Sequence, residues 1–181
     1  YEYTAFRVDS YPAGSGAHTP TDVRFTDDIC EDARRRDFTV NAMYYDIRGD
    51  VIVDLLGGKD DLELRRLKAV DDPYRVLSED GLRIMRLYRF VSTLGFTVEG
   101  ETAKAAAQLS DRLKDIAPER IREELIKLLG GDNVVTALKG LYDCGALGVI
   151  LPELALNGGV KQNEKYHKYD VLEHIFVCDG Y

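Results

Sequence analysis

The sequence predicts an α+β fold in two parts, a small antiparallel or mixed sheet over about the first 70 residues and an all-helical remainder. Two changes of pattern carry this. Apolar and polar residues alternate with a period of two along Tyr1–Asp9 and at Val23 and Phe25, and Val51–Leu55 is a short apolar run after an Arg48-Gly49-Asp50 turn. From Asp71 the period becomes 3.6, with Leu77, Gly81, Ile84, Tyr88 and Val91 spaced four, three, four and three apart. Only about four strands are legible, too few for a complete α/β domain. A chain of 181 residues can bury roughly 70% of its unfolded surface, enough for a real core.

Taken in order, Tyr1–Asp9 reads as a strand, and Ser10–Pro20, with two Pro and two Gly, as a loop. A second strand covers Val23 and Phe25, a short helix Ile29–Arg35, and a further helix starts near Asp37 or Thr39. The Arg48-Gly49-Asp50 turn joins Tyr44–Ile47 to Val51–Leu55 as a hairpin. Gly57-Gly58 closes that unit and Asp60–Val70 is a short mixed segment. One long helix is expected near Pro73–Thr93, opened by proline and stopped by Gly95. Its apolar face should pack against a helix over Pro118–Leu129, since neither stripe can be buried alone. Helices are also expected at Glu101–Ser110 and Val134–Tyr142, then short ones within Cys144–Asn157. A polar loop over Asn157–Lys168 leads to a last helix near Tyr169 or Asp170.

Composition excludes fibrous, low-complexity and disulfide-scaffold classes. Charges interrupt every apolar stretch, so no bilayer span is expected. Three scattered cysteines without metal-type spacing favour a reducing compartment, and the cytoplasm is the expected location. The net charge of −8 argues weakly against nucleic-acid binding, but ten of the fifteen arginines fall within residues 31–90. Guanidinium forks suit phosphate oxygens and base edges, so a local polyanion site is compatible with the acidic total. Tyr1 opens inside a strand-like stretch, and the chain reads as a piece of a longer one.

Four constellations carry chemistry. Arg34-Arg35-Arg36-Asp37-Phe38-Thr39-Val40-Asn41 combines cations with an acid and an amide, a set able to bind a triphosphate and orient a ribose. A basic helix end with Asp37 as a cap fits the same residues. In Glu79-Asp80-Gly81-Leu82-Arg83-Ile84-Met85-Arg86, helical spacing puts Asp80, Arg83 and Arg86 on one ridge, with Glu79 four residues before Arg83. An acceptor beside a donor fits cytosine and adenine, which pair an amino group with a ring acceptor, and opposes guanine and uracil. A plain salt-bridge ladder has the same spacing. Pro118-Glu119-Arg120-Ile121 opens an amphipathic helix that suits a structural brace. His167, Asp170 and His174 can share one helical face, either as part of a metal site or as a capped, salt-bridged helix.

Together and in this order, the motifs resemble those of the class II nucleotidyltransferases, the bacterial tRNA CCA-adding enzymes and their poly(A) polymerase relatives. Arg35-Arg36-Asp37-Phe38-Thr39-Val40-Asn41-Ala42 matches the motif after the palm strands. Asp54-Leu55-Leu56-Gly57-Gly58 with Asp61-Leu62 matches the head–neck hinge. Glu79-Asp80-Gly81-Leu82-Arg83 matches the Glu-Asp-x-x-Arg template, and Ile116–Ile121 with Glu124 looks like the neck motif that steadies it. The resemblance implies a partial nucleotidyltransferase palm over 1–70, a helical neck over 71–130, and the start of a helical body or HD-like domain over 131–181.

It further implies phosphate and ribose contacts from Arg35, Arg36, Asp37 and Asn41. Base reading would fall to Asp80, Arg83 and Arg86, with support from Glu79, Glu119 and Arg120. The implied reaction is Mg²⁺-dependent addition of C, C and A to a tRNA 3′ end from CTP and ATP. Poly(A) polymerase, CC- or A-adding enzymes, and a silent nucleotide- or RNA-binding protein are the alternatives. The family's Asp-x-Asp metal pair finds no match here and is expected upstream, so no catalytic residue is assigned. Asp22 is at most an accessory carboxylate, and the chain alone is expected to be inactive. His167, Asp170 and His174 would be the opening of an HD-type metal site.

Overall fold

The computed structural model describes residues 5–11, 21–160 and 170–179. Its first part is made of β1 (Arg7–Ser10), β2 (Asp22–Phe25), α1 (Ile29–Arg34), β3 (Met43–Asp46), β4 (Val51–Asp54), α2 (Gly58–Glu63) and β5 (Arg66–Leu67). Strands β1 and β2 pair antiparallel with Arg7 opposite Phe25, and β3 and β4 pair likewise with Met43 opposite Asp54. The first ladder follows the alternation of the sequence, and the second follows the Arg48-Gly49-Asp50 turn that joins its strands. The expected strand start at Tyr1 and most of the Ser10–Pro20 loop lie outside the described residues.

Local chemistry sets the ends of these elements. Asp28 caps α1 by accepting from the Cys30 N–H at 2.8 Å. No full helix follows at Thr39; a single 3₁₀ turn covers Thr39–Asn41. The chain is held there by tertiary bonds, since the Thr39 N–H donates to the Lys68 carbonyl and its hydroxyl to Asp61 at 2.7 Å. At the Gly57-Gly58 turn Gly57 adopts φ +78°, and the Asp54 carboxylate accepts from the Gly58 and Lys59 N–H groups.

The helical part comprises α3 (Pro73–Glu79), α4 (Leu82–Leu94), α5 (Gly100–Gln108), α6 (Pro118–Leu129), α7 (Val134–Asp143), α8 (Ala146–Ile150), α9 (Pro152–Ala155) and α10 (Val171–Asp179). A short strand β6 (Thr97–Val98) after α4 pairs in parallel with β5. Gly95 ends α4 in the left-handed conformation, as its position predicts.

The expected single helix over Pro73–Thr93 is broken. Asp80 is extended (φ −144°, ψ 107°), and its carboxylate caps the new helix by accepting from the Leu82 N–H at 3.0 Å. The apolar repeat could not reveal this, because Leu77 and Ile84 are both fully buried on either side of the break. Gly81 fits the kink: a Cβ there would lie 3.0–3.2 Å from the Arg112 Cβ and backbone. Glycine therefore serves a close approach here.

α4 is the central element. It packs on α6 and α7 with Ile84, Met85, Leu87, Tyr88 and Val91 buried against Leu128, Val134, Ala137, Leu138 and Leu141. Each buried Leu, Ile, Val or Met side chain among them contributes about 1.5–3 kcal/mol on leaving water. Between α4 and α6 the Ser92 hydroxyl donates to the Leu128 carbonyl at 2.6 Å, and Arg89 meets Glu124 at 2.6 Å. Phe38 and Leu67 join the same core, which fixes the first part of the chain to α4. Cys30, Cys144 and Cys178 are free thiols, and no described helix is long and apolar enough to cross a membrane.

Candidate functional site

A cavity of about 610 Å³ opens where β1, the end of α1, the Thr39–Asn41 turn, α4 and α6 meet. Eight of the residues singled out from sequence line it: Arg35, Arg36, Asp37 and Asn41 on one side, Asp80, Arg83, Arg86 and Arg120 on the other. The sequence gap between the two sets is closed by the shared core around Phe38. Arg7, Asp9, Tyr11, Leu82 and Phe90 complete the wall. Six arginines face three aspartates there, in a chain whose total charge is −8. The wall is thus a local positive site, suited to a polyanion.

Asp37 and Arg86 form its floor. The buried Asp37 carboxylate accepts from Arg86 Nε at 2.7 Å and contacts Nη2 at 2.6 Å, while its other oxygen accepts from Asn41 Nδ2 and the Phe38 N–H. Burial works against ionisation, yet the Arg86 charge and these hydrogen bonds hold the carboxyl below the usual range. Asp37 and Asn41 are joined by their hydrogen bond through the Thr39–Asn41 turn.

Arg83 is almost fully buried and strongly constrained. Nη1 donates to the Val76 carbonyl at 2.7 Å and to Glu79 at 3.0 Å, and Nη2 to the Arg35 carbonyl at 2.7 Å. Glu79 therefore holds Arg83, as its spacing predicts, although it does so across the helix break. Asp80 sits at that break and pairs with Arg120 Nη2 at 2.7 Å. The predicted continuous ridge of Asp80, Arg83 and Arg86 is corrected accordingly: only the two arginines lie on α4, and Asp80 reaches the cavity from the kink. Tyr11 stands among these groups. Burial raises its pKa, with Asp9, Asp80 and Glu79 adding and Arg83 opposing, so it remains a neutral hydroxyl.

The other expected residues fall elsewhere. Glu119 is exposed on the first turn of α6, and Asp22 is exposed on β2; neither lines the cavity. Asp170 caps α10 through the Glu173 N–H at 2.7 Å, His174 lies on that helix, and His167 lies outside the described residues. Among the described residues no group of three or more His, Cys, Asp or Glu is placed to hold a metal ion.

Sequence reasoning missed Asp32, Arg7, Asp9, Tyr44 and Phe90. Asp32, behind the wall, pairs with Arg35 and Arg36, and the three- and four-residue spacing that allows this is visible in the sequence. Arg7 and Asp9 are two apart on one strand and form an ion pair at 3.0 Å.

Residues 1–68 match the poly A polymerase head domain, and residues 95–157 match the probable RNA and SrmB-binding site of polymerase A. The CCA-adding enzyme of Oceanobacillus iheyensis is 40% identical over 147 residues, covering 79% of this chain and 35% of that protein. The CCA-adding enzyme of Lactococcus lactis subsp. cremoris is 40% identical over 176 residues, covering 91% and 43%. The chain belongs to the family of CCA-adding enzymes and bacterial poly(A) polymerases.

It spans well under half the length of these family members. The fold agrees with that of the Bacillus stearothermophilus CCA-adding enzyme solved in complex with CTP, with a TM-score of 0.72 and 34% identity over 85% of this chain and 38% of the other. A tRNA nucleotidyltransferase complexed with a primer tRNA and an incoming ATP analog superposes with a TM-score of 0.63 and 28% identity, covering 76% of this chain and 40% of that one.

Proposed function

We propose that this chain is the nucleotide-selecting part of a tRNA nucleotidyltransferase that adds CCA to tRNA 3′ ends from CTP and ATP in the cytoplasm. In this reading residues 1–70 belong to the palm, 71–130 form the neck and 131–181 begin the body. One observation carries it: a single arginine-rich cavity unites Arg35, Arg36, Asp37 and Asn41 with Asp80, Arg83, Arg86 and Arg120. The first set offers cations to the phosphates and the Asp37–Asn41 pair to the ribose, groups that carry no base identity. The second set reads the base.

Cytosine and adenine each present an amino donor beside a ring-nitrogen acceptor. Asp80 accepts from the amino group and Arg83 donates to the ring nitrogen. Guanine and uracil present the reverse order, which sets a carbonyl against the carboxylate and an N–H against the guanidinium. A buried mismatch of this kind costs about 1–3 kcal/mol. Arg120 orients Asp80, and Glu79 with two backbone carbonyls orients Arg83, so both reading groups are preset. Preset groups lose little entropy when the base arrives. Arg86 acts between the two sets, holding Asp37 from the helix that carries Arg83. Glu119 contributes to the charge of the first turn of α6 rather than to the wall.

Nucleotidyl transfer in this family implies Mg²⁺, and the described residues do not fit it. Asp9 and Asp37, the acids on the palm side of the wall, are each paired with arginine, and no group of three ligands is assembled. No metal-dependent step is therefore assigned to them. Poly(A) polymerases and the A- or CC-adding relatives are a second reading, favoured by the match to the poly A polymerase head domain. Equilibrium titration of the chain with the four ribonucleoside triphosphates tests both. Binding of CTP and ATP over GTP and UTP is the result expected of the Asp80–Arg83 pair in either reading, and equal binding of all four contradicts base reading.

A further inference from the structure

The nucleotide reading leaves the buried charge of Asp32 without a role. Asp32, on α1, is 1% exposed and stands behind the cavity wall. Its Oδ1 accepts from Arg35 Nε at 2.8 Å, pairs with Arg35 Nη2 at 2.7 Å, and accepts from the Arg7 N–H at 3.2 Å. Its Oδ2 accepts from Arg36 Nε at 3.2 Å and Nη2 at 3.0 Å, and from the Tyr44 hydroxyl at 2.8 Å. A carboxylate is costly to bury unless its lone pairs are filled, and here strands β1 and β3 and the end of α1 all contribute donors.

Two consecutive arginines at a helix end repel each other and point about 100° apart. Asp32 precedes them by three and four residues and takes one edge of each guanidinium, which turns both toward the cavity they line. The remaining edges are set as well. Arg36 Nη1 donates to the Asn41 carbonyl at 3.0 Å while the guanidinium carbon lies 5.1 Å over the Tyr44 ring, and Arg35 Nη1 stands 3.5 Å from Asp9.

We propose that Asp32, seconded by Tyr44, is a positioning residue that presets Arg35 and Arg36 for the phosphate chain of an incoming nucleoside triphosphate. This deepens the proposed function and rests on it. Asp32 does not touch the ligand. It removes the freedom that two long side chains would otherwise lose on binding, and it offsets their mutual repulsion in the empty cavity. Burial opposes its ionisation, but the Tyr44, Arg7, Arg35 and Arg36 hydrogen bonds bring its pKa down to about 2, so the charge is present whenever a phosphate is.

A keystone that merely held the fold together would affect every ligand alike, whereas a phosphate-positioning residue affects only the gain from added phosphates. The test is calorimetric titration of the full chain with CMP, CDP and CTP, for wild type, Asp32→Asn and Tyr44→Phe, with thermal melts as a fold control. In wild type, affinity should rise with each phosphate. Asp32→Asn should hold CMP binding within about twofold and weaken CTP roughly ten- to a hundredfold. Tyr44→Phe keeps the ring beneath Arg36 and drops one donor, so its CTP-to-CMP ratio should fall about threefold.

A folded Asp32→Asn protein with the wild-type ratio, or with CMP and CTP weakened equally, overturns the proposal. If that variant does not fold, an unchanged ratio in Tyr44→Phe overturns it. If wild type itself gains nothing from CMP to CTP, the reading of Arg35 and Arg36 as phosphate ligands fails first, and that result is distinguishable from a failure of Asp32 alone.

Discussion

Arg86 and Asp37, 49 residues apart in sequence, meet with Nε and Nη2 of the guanidinium 2.7 and 2.6 Å from one carboxylate oxygen. The pair ties the turn after α1 to the central helix α4 and forms the cavity floor. Removing the arginine strands a buried carboxylate that keeps only Asn41 and the Phe38 N–H. Arg86→Ala should therefore lower stability by about 2–3 kcal/mol, read as a drop in the denaturant midpoint. In the double variant Arg86→Ala/Asp37→Asn part of this loss should be recovered, because the unpaired charge is gone.

Acid stability follows from Asp32. Its folded pKa of about 2 lies below the ordinary 3.8, so the folded state binds its proton less readily than the unfolded chain. The stabilisation is fully present above about pH 4 and is lost as the pH falls toward 2. Asp32→Asn should flatten this part of the stability profile, measured by urea melts between pH 5 and 2, and leave little pH dependence from this group.

The Gly57-Gly58 turn packs closely against the Thr39–Asn41 turn. A Cβ on Gly58 would overlap the Thr39 carbonyl oxygen, which is held in place by the neighbouring Thr39–Asp61 bond. Gly58→Ala should cost about 1–3 kcal/mol, read in a thermal melt. An unchanged melting temperature would show that the turn gives way easily.

Most of this architecture is legible from local patterns, and the exceptions have physical causes. The alternation at Val23–Phe25, the Arg48-Gly49-Asp50 turn before Val51–Asp54, the stop at Gly95 and the start at Pro118 are signals that act within a few residues. The break at Asp80 does not. It is stabilised by Arg120 and by the close approach of Arg112, both distant in sequence, while the apolar stripe runs unbroken past it. The site shows the same division. Arg35, Arg36, Asp37, Asp80 and Arg83 sit in dense polar motifs that sequence alone singles out. Arg7, Asp9 and Phe90 reach the same cavity only because the chain returns there.

Catalysis by this chain alone is expected to be absent. Two-metal transfer needs carboxylates that bridge both ions, and Asp9 and Asp37 are committed to arginines. Purified chain incubated with Mg²⁺, labelled CTP or ATP, and a tRNA lacking its 3′ end should incorporate neither nucleotide. Incorporation that survives removal of host enzyme would place metal-binding carboxylates within these residues.

Asp80 and Arg83 are expected to choose the base, and Arg36 is not. The most direct measurement is the ratio of CTP to UTP affinity in wild type, Asp80→Ala and Arg36→Ala chains. Wild type should favour CTP by about tenfold or more. Arg36→Ala should weaken both nucleotides and keep that ratio. Asp80→Ala should bring the ratio close to one, since the carboxylate that accepts from the cytosine amino group and repels the uracil carbonyl is gone. An Asp80→Ala chain that still prefers CTP by the wild-type ratio would reduce Asp80 to a cap and a salt-bridge partner, and would contradict base selection by Asp80 and Arg83.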